Sequence, residues 1–97
     1  MKPVKKVEMV VDAQEVPHLL DQLSRSGIKA YTVIREAHGK GDRGTRSGDF
    51  FLGAFDNSYL MIACSEEQAK QIVEMVRPLL KRIGGICLVS DAMWVLH

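Results

Sequence analysis

Tyr59-Leu60-Met61-Ile62-Ala63-Cys64-Ser65-Glu66-Glu67-Gln68-Ala69 changes its hydrophobic period in mid-run. Tyr59–Cys64 is nearly all apolar and too short for a buried helix, so it reads as a strand. Ser65 with Gln68 three residues on is a capping box: the hydroxyl and the amide each satisfy a backbone N–H at a helix start. Ala69, Ile72, Val73, Val76 and Leu80 then recur at helical spacing. Pro78 conflicts with that helix, because it removes a hydrogen bond and crowds the preceding turn. A kink or an early end near Arg77 is expected. Gly84-Gly85 punctuates, and Ile86–Ser90 reads as a short strand buried on both sides. Met93–Leu96 fits an extra edge strand or a tail that docks on a neighbour.

The N-terminal half follows the same order. Val4–Val11 is a valine-rich strand. Asp12 and Glu15 are capping acceptors, and Pro17 suits only the first turn of a helix. Val16, Leu19, Leu20 and Leu23 make one apolar helical face, closed by Gly27 as a left-handed C-terminal residue. Ile28–Ala37 carries the β-branched and aromatic cluster of a second strand. Residues 38–49 form a loop without a hydrophobic anchor, Phe50–Phe55 is apolar again, and Asp56-Asn57-Ser58 reads as a turn. The order β-α-β-β-α-β is that of the ferredoxin-like sandwich: an α+β fold with two helices on one face of a four-stranded antiparallel sheet. Its other face has nothing in this chain to cover it. Exposed apolar area costs roughly 25 cal/mol per Å², so association through the sheet is the simplest remedy.

Composition narrows the function. The 97 residues make one domain, with 46% apolar and 26% charged residues, which excludes disordered and fibrous classes. Thirteen basic residues against twelve acidic ones leave a formal charge of +1, so no global electrostatic case for nucleic-acid binding exists. No apolar run approaches the ~20 residues of a membrane helix. The charged start Met1–Lys6 has no apolar core behind it, so a cytoplasmic protein without direct membrane insertion is expected. Cys64 and Cys87 lie in apolar runs at no zinc-ligand spacing and read as buried free thiols.

Catalysis has little support. His18, His38 and His97 are scattered without a paired carboxylate at a telling spacing, and Thr45 and Ser47 have no evident base. His18 reads as a surface residue and His97 as a frayed terminus, while His38 stands at the junction of strand and loop. The richest segment is Gly39-Lys40-Gly41-Asp42-Arg43-Gly44-Thr45-Arg46. Glycines let backbone N–H groups approach an anion, and Lys and Arg neutralise it, arginine with planar bidentate contacts. A solvated hairpin loop is the plainer alternative. The glycine spacing and the Lys-Ser/Thr ending of a P-loop are absent, and so is an aromatic on which a base could stack. Lys81-Arg82-Ile83-Gly84-Gly85 is a second basic, glycine-rich patch, explained equally well as a helix C-terminus.

Taken in order, these segments resemble the PII-like signalling proteins. Gly27-Ile28 with Tyr31-Thr32-Val33 is similar to the strand entering the family's long T-loop, and Arg46-Ser47-Gly48-Asp49-Phe50-Phe51 to the exit of that loop. Lys40-Gly41-Asp42-Arg43 with Arg46 resembles the loop of the bicarbonate-transport-associated branch, and Gly85-Ile86 through Ser90 its last core strand. The loop is shorter than in classical PII proteins and has no tyrosine for uridylylation. The classical B-loop is reduced to Lys81–Gly85, which favours AMP or ADP, with ATP as the larger alternative.

The resemblance implies a homotrimer with clefts between subunits. Thr32 would lie near the adenine, Gly39, Lys40, Gly41, Arg43 and Arg46 around ribose and phosphate, and Lys81, Arg82 and Gly85 opposite. Asp42, Gly44, Thr45 and Ser47 would meet a partner, a membrane transporter or an enzyme of nitrogen or inorganic-carbon metabolism. A different reading is a trimeric metal-binding protein of the CutA type, or a PII-like partner of a heavy-metal efflux system, using His38, His97, Cys64 or Met93. A small nucleotide-hydrolysing enzyme would have to rely on Asp42 and Asp49.

Overall fold

In the computed structural model, residues 1–35 and 57–97 are described. Their elements are β1 (Lys2–Asp12), a 3-10 turn (Ala13–Glu15), α1 (Val16–Arg25), β2 (Thr32–Arg35), β3 (Asn57–Cys64), α2 (Glu66–Ile83) and β4 (Ile86–Trp94). The strands form one sheet in the order β2-β3-β1-β4, every neighbouring pair antiparallel. This is the ferredoxin-like arrangement. Expected loop residues 38–49, the apolar run Phe50–Phe55 and Asp56 lie outside the described residues.

Alternation sorts the side chains. Val7, Met9 and Val11 of β1 and Leu60, Ile62 and Cys64 of β3 are buried beneath the helices, where Leu19, Leu23, Ile72 and Val76 meet them. Val33 and Cys87 pack against the same core from the two edge strands. Both cysteines are free thiols, Cys64 buried and Cys87 half-buried. The opposite face carries Ile34, Ile86, Leu88 and Trp94, exposed by 53%, 40%, 59% and 47%.

Local chemistry explains most element ends. The Ser65 hydroxyl accepts from Gln68 N–H at 3.1 Å, and the Gln68 side chain accepts from Ser65 N–H at 3.0 Å, closing the capping box. After α1, Gly27 N–H donates to Ser24 carbonyl at 3.0 Å and Ile28 N–H to Leu23 carbonyl at 2.9 Å. This is a Schellman motif, with Gly27 at φ 85° in the left-handed position.

Several expectations need correction. The second strand starts at Thr32 and not at Ile28, because the Schellman motif uses the Ile28 N–H and the core takes its side chain. Asn57 and Ser58 are not turn residues: they begin β3, paired with Asp12 and Val11. Helix α2 does not end near Arg77; it continues through Pro78 to Ile83. Residues 74 and 78 both face solvent, where water can take over the Glu74 carbonyl that proline leaves without a donor. The last strand is one nine-residue element, not a short strand plus a separate segment, because β1 is long enough to pair it from Val10↔Ile86 to Lys2↔Trp94. It is also largely exposed: it is an edge strand, paired on one side only among the described residues. Finally, Glu15 makes no capping bond to α1, and Asp12 caps the 3-10 turn instead, accepting from Gln14 N–H at 2.9 Å.

Candidate functional site

The sheet places the predicted residues by register. Ile34, Tyr59, Val10 and Ile86 stand in one row across the four strands, and Thr32, Met61, Glu8 and Leu88 in the next row but one. The end of β2 leading to residue 36, the start of β3, the end of β1 and the Gly84-Gly85 turn therefore share one end of the sheet. Thr32 is exposed on the β2 edge. Gly85 enters β4 on the opposite edge, three strand spacings or about 14 Å away. One chain thus brings the two groups to the same end of the fold but not together.

Lys81 and Arg82 occupy the last turn of α2, where cations favour the negative end of the helix dipole. The helix stops at Gly84, with φ 84° and its N–H donating to the Leu80 carbonyl at 2.8 Å. Gly85, at φ 122°, lies so close to β1 that an added Cβ would sit 2.7 Å from the Val10 carbonyl oxygen. Its lack of a side chain is therefore a packing requirement. Arg82 Nη2 donates to Glu15 Oε1 at 3.3 Å, tying α2's end to the 3-10 turn before α1. Sequence reasoning missed Glu15 in this role, because its partner is 67 positions away and no periodic or motif signal links the two.

A second polar contact lies on the face away from the helices. Tyr59 donates its hydroxyl proton to Glu8 Oε2 at 2.6 Å, and Lys6 Nζ is 3.7 Å from Glu8 Oε1. The hydrogen bond to Glu8, lost on ionisation, raises the Tyr59 phenol above its usual value. Two surface grooves lie elsewhere. One of about 700 Å³ runs between α2 and β4 past Val73 and Val89, and one of about 400 Å³ lies by Cys64, Trp94 and Leu96.

Gly39, Lys40, Gly41, Asp42, Arg43, Gly44, Thr45, Arg46, Ser47 and His38 lie outside the described residues. His97 is exposed at the C-terminus, Met93 is half-exposed on β4, and Cys64 is buried, with burial pushing its thiol up. No group of three or more His, Cys, Asp or Glu among the described residues could hold a metal ion. No described helix is long and apolar enough to cross a membrane.

Comparison with known proteins agrees with this architecture. The family model for nitrogen regulatory protein P-II matches residues 4–96. The chain belongs to that family. Among solved structures, a PII-like signalling protein from Thermus thermophilus is 30% identical, with a TM-score of 0.75, covering 97% of this chain and 91% of that one. CPII from Thiomonas intermedia, a nitrogen regulatory PII-like protein solved with ADP, AMP and bicarbonate, is 26% identical, with a TM-score of 0.78, over 95% of this chain and 88% of that one. A structure of CPII with ADP, AMP and acetate, at 24% identity, has a TM-score of 0.83 and covers 98% of this chain and 91% of CPII. A search of curated protein sequences finds no match.

Proposed function

We propose that this PII-like protein is a non-catalytic sensor, a homotrimer that binds AMP or ADP in clefts between its subunits. The observation that carries this reading is the split of the candidate residues between the two edges of one sheet end. Thr32 on the β2 edge and Gly85 at the entry to the β4 edge strand, with Lys81 and Arg82 in the helix turn just before it, line one cleft when a second copy supplies the other half. That CPII was solved with ADP and AMP supports the ligand class, and the exposed apolar side chains of the helix-free face support self-association.

In this reading Thr32 lies beside the adenine. Gly39, Lys40, Gly41, Arg43 and Arg46 surround ribose and phosphate, and Lys81, Arg82 and Gly85 approach from the neighbouring subunit. Ordering a glycine-rich loop costs about 1–2 kcal/mol per residue, and charge-assisted hydrogen bonds at about 1.5–3 kcal/mol each offset it. Nucleotide then selects one loop conformation, and a partner that recognises only that conformation reads it. Asp42, Gly44, Thr45 and Ser47 form the partner-facing part. The partner is a transporter or enzyme of nitrogen or inorganic-carbon metabolism, reached from the cytoplasm, with recruitment to the inner membrane face when it is a transporter.

The test is calorimetry on the Arg43→Ala/Arg46→Ala double variant. AMP or ADP affinity should fall at least tenfold while the oligomer keeps its mass. Unchanged affinity would take the loop out of the site.

A further inference from the structure

The geometry points to Glu15 as a charge filter on this site, a residue that holds Arg82 ready for a nucleotide of few phosphates and discriminates against one of many. The inference rests on the nucleotide reading above and adds to it a specificity-determining residue outside the loop.

Glu15 stands at the N-cap position of α1, where an acidic side chain ordinarily accepts from the first helical amides. It makes no such bond. Its Oε1 instead accepts from Arg82 Nη2 at 3.3 Å, across the junction between the ends of the two helices. The partners are unequally placed: the Glu15 side chain is 27% exposed and that of Arg82 66%. The carboxylate is recessed, and the guanidinium stands outside it. An arginine carries five N–H donors, so one contact through Nη2 leaves most of its hydrogen-bonding edge for a ligand.

Two opposing effects follow for a phosphate that reaches Arg82. The bond to Glu15 restricts the guanidinium before binding, which lowers the ordering cost the ligand must meet. The same carboxylate repels the ligand, and that repulsion grows with every phosphate added. For AMP the pre-orientation outweighs a small repulsion. For ATP the repulsion is largest, and Lys81 in the same helix turn offsets part of it. As a contributor to stability an exposed ion pair of this length is worth little. Its effect belongs in the ratio of affinities, not in the melting temperature.

Glu15→Gln separates the two effects, because glutamine keeps an oxygen acceptor for Arg82 and removes the charge; Glu15→Ala removes both. Dissociation constants for AMP, ADP and ATP are measured by calorimetry, without divalent cations, on the full-length wild type and both variants. In Glu15→Gln the ATP-to-AMP ratio of dissociation constants should drop about fivefold, with AMP within about twofold of wild type. That drop should shrink in about 0.5 M salt. Glu15→Ala should bind AMP about threefold more weakly than Glu15→Gln. A ratio that does not move in Glu15→Gln, with all three nucleotides still bound, overturns the filter and leaves the nucleotide site standing. Wild type that binds none of the three overturns both.

Discussion

Gly27 and Gly85 both hold a left-handed backbone, at φ 85° and 122°, yet their surroundings differ. An added Cβ at Gly27 meets nothing within 4 Å. At Gly85 it meets the Val10 carbonyl oxygen at 2.7 Å and Leu80 Cδ2 at 3.0 Å. The leucine tip can rotate away, but the carbonyl belongs to β1, where Val10 pairs with Ile86. Gly27→Ala should therefore cost only the left-handed penalty, about 1–2 kcal/mol. Gly85→Ala should cost at least about 3 kcal/mol, since backbone strain and a collision with an immovable atom add. Urea unfolding without nucleotide measures both. Equal losses would mean that the β1–β4 junction yields easily, and that glycine at 85 serves the ligand more than the packing.

At the scale of elements, Pro78 sits in the solvent-facing part of an 18-residue helix that does not break. Proline there forfeits one hydrogen bond and crowds the turn before it, and the apolar stripe holds the helix together regardless: Val76 before it and Leu79 after it are both buried. Pro78→Ala restores the bond and gives back some unfolded-state entropy, with the first effect larger. A gain of about 1 kcal/mol, or roughly 5 °C in Tm for a domain of this size, is expected in thermal denaturation. A lower Tm would show that the ring packs usefully. The same residue marks what sequence can disclose. The strand–capping box–helix passage through Ser65 was legible because every signal in it is local. Pro78 misled because solvent exposure of one carbonyl is a tertiary fact. Ile28 misled because its strand-like side chain serves a helix cap. The Arg82–Glu15 contact left no trace at all, being made by two surface charges whose proximity only the packed fold creates.

For the whole molecule, the decisive feature is the sheet face away from the helices. Ile86–Ser90 read as buried on both sides, but in one chain Ile86 and Leu88 on that face are exposed by 40% and 59%, and Val89 on the helix side by 45%. The apolar sequence and the exposed strand are reconciled if other copies of the chain supply the cover that the helices cannot. The Tyr59–Glu8 bond, with Lys6 beside it, then sits within that covered face, where a polar group between the apolar side chains would fix how the copies align. Light scattering should give three times the chain mass for the wild type. Leu88→Glu would place a charge in the seam, at a desolvation cost of several kcal/mol per copy, and should yield monomers. Because the two halves of the proposed cleft stand on opposite sheet edges, those monomers should also bind AMP at least tenfold more weakly. Gln71→Glu, on the exposed side of α2, should change neither mass nor affinity. A Leu88→Glu monomer that binds AMP like the wild type would place the whole site within one chain and remove the need for a second copy. An intact Leu88→Glu trimer would move the seam off this face.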